Sequence, residues 1–291
     1  MILDIDPLYA QKEFTLDEEY SLNRGGLLDL KTEGATVRII ASESNKISIN
    51  ARYRIETKGL KIGNKEPVRL KASTLGDSLV IREIEQEGRR VLLGGKSVQY
   101  NITIEAPEWL NLLLKGSDNS YFIRNMAGDT HIKGEKADVE LQMNSANNYI
   151  FDLSDSSLDI SGGQGFLKAD FNNSIVRFNN VSFETIDMNL DDVDIQLALN
   201  MADDGQYNID IDGGSLHFGI IEGGGTFKFW HNNLRIYSEG PFMVPINSKR
   251  ETIYEKEGGN ANVDINAKDS QLHLKVITDD GFGSEDVESN R

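Results

Sequence analysis

The sequence predicts an all-β chain wound as a β-solenoid, capped by an elaborated N-terminal β segment. Three observations predict it. From Leu110 to about Lys228, one position in every nine or ten is apolar: Leu114, Ile123, Ile132, Leu141, Ile150, Ile160, Ala169, Phe178, Met188, Leu197, Ile209, Phe218 and Phe227. Two residues before most of these stands a second aliphatic or aromatic residue, as in Leu112, Tyr121, Val139, Leu158, Leu167, Val176 and Ile186. Side chains two apart share one face of a strand, so each pair marks one short strand with a single inward face. Between the strands lie Gly116, Gly128, Gly134, Gly162, Gly213 and many Asn and Asp, which tolerate positive φ and close tight turns. Finally, Asn recurs at double the period, in Asn125 and Asn144, Asn180 and Asn200, Asn189 and Asn208, where stacked coils would set amides one above another.

A strand and a turn repeated without a helix form a repeat architecture. The competing arrangement is an antiparallel β-sandwich, which the same spacing also allows. The steadiness of the period favours the solenoid, because sandwiches mix hairpins with longer crossovers. Two units per coil would give coils of about 19 residues and a rod about 30 Å long at about 4.8 Å per strand. Three units per coil would shorten it.

Before the repeat, Gly34 to Ile40 and Lys46 to Tyr53 alternate apolar and polar residues around a turn at Ser42 to Asn45, and read as a two-strand unit. Residues 56–98 are more charged, with strands expected at Val68 to Leu70, Leu79 to Ile84 and Val91 to Leu93 and a turn at Glu85 to Arg90. They are expected to cap one end of the rod, since a bare end would expose unpaired strand groups. Val98 to Pro107 alternates over Tyr100, Ile102 and Ile104. The expected organisation is one all-β domain over residues 14–276, divided into an N-terminal region (14–107), regular repeats (108–228) and C-terminal coils (229–276). Ala261 to Ile265 and Gln271 to Val276 are expected to finish the last coil. The acidic stretch 277–291 has little to bury and is expected to be a disordered tail or linker.

The 291 residues carry 47 acidic and 30 basic side chains, a net charge of -17, and 38 % hydrophobic residues. That apolar share suits a thin core. The acidic balance argues against nucleic acid or an anionic membrane as partner, because no basic patch releases counterions; the densest, Lys58, Lys61, Lys65, Arg69 and Lys71, is interrupted. With no cysteine, disulfides and thiolate metal sites are excluded. No apolar run approaches a membrane span, and MILDIDPLYAQKEF lacks the basic and apolar regions of a leader. The chain is therefore expected either to be cytoplasmic or to have lost a leader, for which the Ala10-Gln11 junction would suit the downstream edge.

The order of GATVRIIASESNKISINAR (34–52), NITIEAPEWLNLLLKGSDN (101–119), AGDTHIKG (127–134) and SDSSLDISGG (154–163) resembles the bacterial putative-adhesin domain family, whose members carry no established function. The resemblance spans roughly residues 27–275. It implies a right-handed, single-stranded β-helix in an exported or envelope-associated protein. The chain departs from the family in its turns: Gly128-Asp129 keeps the usual Gly-Asp pair, and Asn-rich turns replace it elsewhere.

Candidate sites weigh little. His131, His217, His231 and His273 each stand alone in sequence, with no zinc spacing, and are expected to be solvated strand residues. Asp191, Asp192 and Asp194 cluster, with Asp192 and Asp194 on the outward face, where solvation accounts for them better than calcium or an acid/base pair. Gly162 to Asp170 fails the calcium nonapeptide at Leu167, where the ligand Asp would stand. Gly223 to Gly225 precedes a strand, so a turn with close backbone packing fits better than a phosphate loop. No cofactor is implied. Trp230, His231 and Tyr237, where the rhythm breaks, are the candidate contacts for a ligand or partner, a glycan or an envelope protein; the competing account is that they plug the end of the core.

The expected function is a non-catalytic, adhesin-like binding or structural module of the envelope or exterior. A carbohydrate-active enzyme on a β-helix is the first rival, though the Asp-rich turns have few basic neighbours. A self-assembling cytoplasmic β-helix is the second.

Overall fold

The computed structural model describes residues 9–62, 69–84 and 91–277. Every regular element among them is a strand. Before the repeat come β1 (Tyr9–Tyr20), β2 (Leu27–Glu33), β3 (Thr36–Ser42), β4 (Ile47–Ile62), β5 (Arg69–Leu75), β6 (Ser78–Ile84) and β7 (Val91–Pro107). The repeat holds β8 (Asn111–Ser117), β9 (Ser120–Arg124), β10 (Thr130–Glu135), β11 (Asp138–Gln142), β12 (Asn148–Ser154), β13 (Ser157–Ser161), β14 (Gln164–Asn172), β15 (Ile175–Asn200) and β16 (Gln206–Glu222). Then follow β17 (Gly225–Asn232), β18 (Arg235–Glu239), β19 (Met243–Asn247), β20 (Glu251–Lys256), β21 (Ala261–Lys268) and β22 (Gln271–Val276). The expected Val68, the turn at Glu85 to Arg90, the N-terminal Met1 to Leu8 and the tail from Thr278 lie outside the described residues.

Successive units alternate between two parallel ladders. In the first, Leu112, Thr130, Tyr149, Leu167, Ile186 and Tyr207 stand opposite one another on β8, β10, β12, β14, β15 and β16. In the second, Val37, Tyr121, Val139, Leu158 and Val176 do so on β3, β9, β11, β13 and β15. Within the repeat, from β8 to the register shift at Asn200, partners lie 18, 19 or 21 residues apart, which gives two strands per repeat. The inward columns of both ladders belong to one buried apolar cluster, within which rings meet edge to face, as in Phe178 with Phe183 and Tyr149 with Phe183.

The turns explain why Asn and Asp punctuate the sequence. Asp118, Lys136, Asp155 and Asn173 occupy one turn of successive repeats, all at φ between 45° and 54°. Short polar side chains that bond locally tolerate this left-handed region best. Each such residue donates its N–H to the following repeat: Asp118 to Glu135 O, Lys136 to Ser154 O, Asp155 to Asn172 O and Asn173 to Asp191 O, at 2.8–3.0 Å. The next position is small and buried, and where it is serine its side chain serves the neighbouring backbone: Ser156 Oγ accepts from Ala137 N at 2.9 Å and Ser174 Oγ from Ser156 N at 3.1 Å. Such bonds leave few buried backbone groups unpaired where the chain reverses direction.

Several expectations are corrected. Ile150 faces outward, 39 % exposed, while Tyr149 and Phe151 point into the core, because the step from Ile132 to its partner Phe151 is 19 residues. Of the expected Asn pairs, only Asn180 and Asn200 bond, with Asn200 Nδ2 donating to Asn180 Oδ1 at 2.7 Å. Asn144 instead turns inward, accepting from Met126 N and donating to Ile123 O. Asn189 donates to Asp170 at 2.6 Å, and its partner on β16 is Asp210, because the step there lengthens to 21 residues. The two N-terminal strands β3 and β4 do not pair with each other: both pair with β7, β3 in parallel and β4 antiparallel.

The ends depart from chain order. At the start, β2 lies between β6 and β8, and β3 between β7 and β9, so β1, β4, β5, β6 and β7 cover the first repeat from outside. At the other end, β21 lies between β16 and β17, and β22 between β16 and β18. The strands expected to finish the last coil are therefore inserted one step before the end, where β17 and β18 lie, followed by the antiparallel β20 and β19.

Candidate functional site

The first ladder carries an outward row formed by strand register alone: Asp152, Asp170, Asn189, Asp210, Asn266 and Trp230 stand in line on β12, β14, β15, β16, β21 and β17. Alternation places each beside an inward apolar neighbour, and the parallel register stacks them. The polar members bond along the row, Asn189 Nδ2 to Asp170 Oδ1 at 2.6 Å and Asn266 Nδ2 to Asp210 Oδ1 at 2.7 Å, while Lys133 pairs with Asp152. A second row two residues on repeats the arrangement, with Asn172 donating to Asp191 at 2.8 Å and Lys268 to Asp212 at 2.6 Å. Between the rows runs a groove of about 500 Å³ floored by Leu153, Phe171, Leu190, Ile211 and Ala267.

Trp230 closes this groove at 47 % exposure, and His231 beside it lies with Nε2 3.2 Å from Thr252 Oγ1. Tyr237, 51 % exposed, is on β18 of the second ladder and lines a different groove. Half-exposed Trp230 and Tyr237 are not core plugs; the end of the core is filled instead by Phe227 and Phe229, with Phe242 packed against Phe227. The three sequence candidates therefore fall on two surfaces.

Two histidines are brought together, contrary to the expectation that each stands alone. His217 on β16 is opposite His273 on β22, and their rings stack at 4.4 Å between centroids. Their 56-residue separation defeats any spacing rule, but a signal exists: Leu216-His217-Phe218 and Leu272-His273-Leu274 share one inward-outward-inward pattern. His131 sits apart on the outward face of the first ladder, its pKa lowered by burial and then by the neighbouring charge of Lys115. Among the described residues no group of three or more His, Cys, Asp or Glu is placed to hold a metal ion. Asp194 accepts from Ser215 Oγ at 2.7 Å on the second ladder, away from Asp191. At Gly225, φ is 154° and a Cβ would lie 2.0 Å from Ala261 O, so close approach of β21 accounts for this glycine.

No family model matches the chain, and no curated protein matches it. Among solved structures, the chain is similar to a putative cell adhesion protein from Clostridium sporogenes, at 14 % identity over 91 % of this chain and 100 % of that one, with a TM-score of 0.24. It is also similar to a putative adhesin from Parabacteroides distasonis, at 10 % identity over 91 % and 97 %, with a TM-score of 0.41. No described helix is long and apolar enough to cross a membrane.

Proposed function

We propose that the chain is a non-catalytic, adhesin-like recognition module of the cell envelope or exterior, built as a right-handed β-solenoid with two strands per coil. Parallel partners at a near-constant 18–21 residues support the winding, and the hand comes from the family resemblance. Its ligand is an uncharged glycan laid along the groove of the first ladder. The observation that carries this is half-exposed Trp230 at the end of a row of Asp and Asn side chains. An indole presents a flat apolar face to the C–H face of a sugar ring, and carboxylates and amides bond its hydroxyls at the edge. Asp152, Asp170, Asp191, Asp210 and Asp212 against Lys268 give the groove a negative field, which disfavours acidic polymers. Their pairing along the rows suits presentation of fixed acceptors better than acid/base turnover.

The test is binding to a panel of neutral and acidic oligosaccharides, by glycan array and calorimetry. Trp230→Ala is expected to weaken neutral-glycan binding by about tenfold or more, as loss of an aromatic anchor does, with the melting temperature nearly unchanged. Tyr237→Ala should leave that binding intact. Cleavage of any polysaccharide, abolished by a single Asp substitution in the groove, would replace this reading with the enzyme.

A further inference from the structure

The second ladder carries a feature that the glycan groove does not use. His217 and His273 face each other across adjacent parallel strands with rings only 8° from parallel, and Tyr237, opposite His273, stacks on its far side at 4.8 Å and 23°. All three line a groove of about 1110 Å³. Because the imidazole faces cover one another, a sugar ring has no free imidazole face to stack on between them. What the pair offers instead is ring edges, side by side, and the edge nitrogen of a neutral imidazole is the commonest protein donor to transition metals.

We propose that His217 and His273 form an open two-imidazole site for a divalent transition-metal ion. Bonds of about 2.0–2.1 Å place two neighbouring nitrogens of one ion about 3 Å apart, in square-planar and tetrahedral geometry alike, closer than the stacked rings, so the rings close on the ion by tilting about their side-chain torsions. With two protein donors, water or an incoming ligand fills the remaining positions. Affinity follows the usual divalent order, with Cu2+ held most tightly. Protons compete with the ion for the ring nitrogens, so binding is coupled to proton release. Arg177, Arg235 and Lys275 line the same groove and oppose the ion, while Asp194, Glu239 and Asp269 favour it.

The experiment is calorimetric titration of the untagged full chain with Cu2+, Ni2+ and Zn2+, together with electron paramagnetic resonance of the Cu2+ complex. One equivalent is expected, with Cu2+ tightest and a spectrum showing two equatorial nitrogens. His217→Gln and His273→Gln should each weaken Cu2+ binding by about tenfold or more, while His131→Gln and His231→Gln leave it unchanged. Circular dichroism and melting of each variant confirm that the fold persists. If the double variant His217→Gln/His273→Gln binds as the parent does, the carboxylates of this acidic chain hold the ion and the proposal fails. It also fails if the parent binds no ion, or if the spectrum shows one nitrogen or none.

Discussion

Asn119 donates from Nδ2 to the carbonyl of Thr32 at 2.9 Å, across 87 positions of sequence. The same amide also donates to Tyr121 Oη at 3.0 Å, and its Oδ1 accepts from Ala35 N at 2.9 Å and Thr32 Oγ1 at 3.3 Å. One buried side chain thus fastens the first repeat to the turn between β8 and β9. Gly116 allows this approach, since a Cβ there would lie 1.7 Å from Thr32 O.

Replacing Asn119 by Ala strands the Ala35 N–H and the Thr32 carbonyl away from water. The expected loss is about 2–4 kcal/mol, read from denaturant unfolding. Asn119→Asp keeps the acceptor but not the donor, and should cost at least as much by burying a charge.

Ile150 and Phe151 test the strand register. Phe151 is buried and ring-stacked with Phe171, so Phe151→Ala should cost about 3–5 kcal/mol. Ile150→Thr, on the outward face, should change stability by about 0.5 kcal/mol or less. Equal melting temperatures for the two variants would contradict the inward assignment of Phe151.

The insertion of β21 and β22 makes the C-terminal strands a keystone for their neighbours. Ending the chain after Asn260 removes Val263, Ile265, Leu272 and Leu274 from the core, leaves β17 and β18 without parallel partners, and bares the edge of β16 that faces away from β15. Such a chain should bind a hydrophobic dye and lose protection from hydrogen exchange in β16 to β18 first, while β8 to β13 keep theirs.

Burial pushes the Tyr121 and Tyr149 hydroxyls up to about 12, against an ordinary value of 10, although the Thr32, Asn119 and Ala146 hydrogen bonds pull the other way. A phenol whose folded pKa is raised stabilises the fold fully below pH about 10, and that contribution is lost as pH rises through about 12. Absorbance at 295 nm should therefore show these two tyrosines ionising only as the protein unfolds.

His131 carries the opposite prediction for acid. Its pKa is lowered, so the unfolded chain takes up the proton first, and stability falls as pH drops below the ordinary imidazole value. His131→Gln should flatten the dependence of melting temperature on pH between about 7 and 5, and an unchanged dependence would contradict this assignment.

Strands, turns and most of the inward face were legible in the amino-acid order alone. An apolar pair every nine or ten residues can be buried only by strands, and Asn or Asp at the recurring left-handed position is a local requirement of the backbone. Trp230 was legible as a candidate contact because the rhythm breaks around it, while its exposure came only from the fold. The tertiary structure decided the rest. The repeats vary between 18, 19 and 21 residues, and a single extra residue turns Ile150 outward while Phe151 takes its place, which periodicity averages away. The partnership of β21 with both β16 and β17, the separation of Trp230 from Tyr237, and the meeting of His217 with His273 depend on which strands become neighbours. That choice is set by burial summed over whole ladders, and no local stretch of sequence carries it.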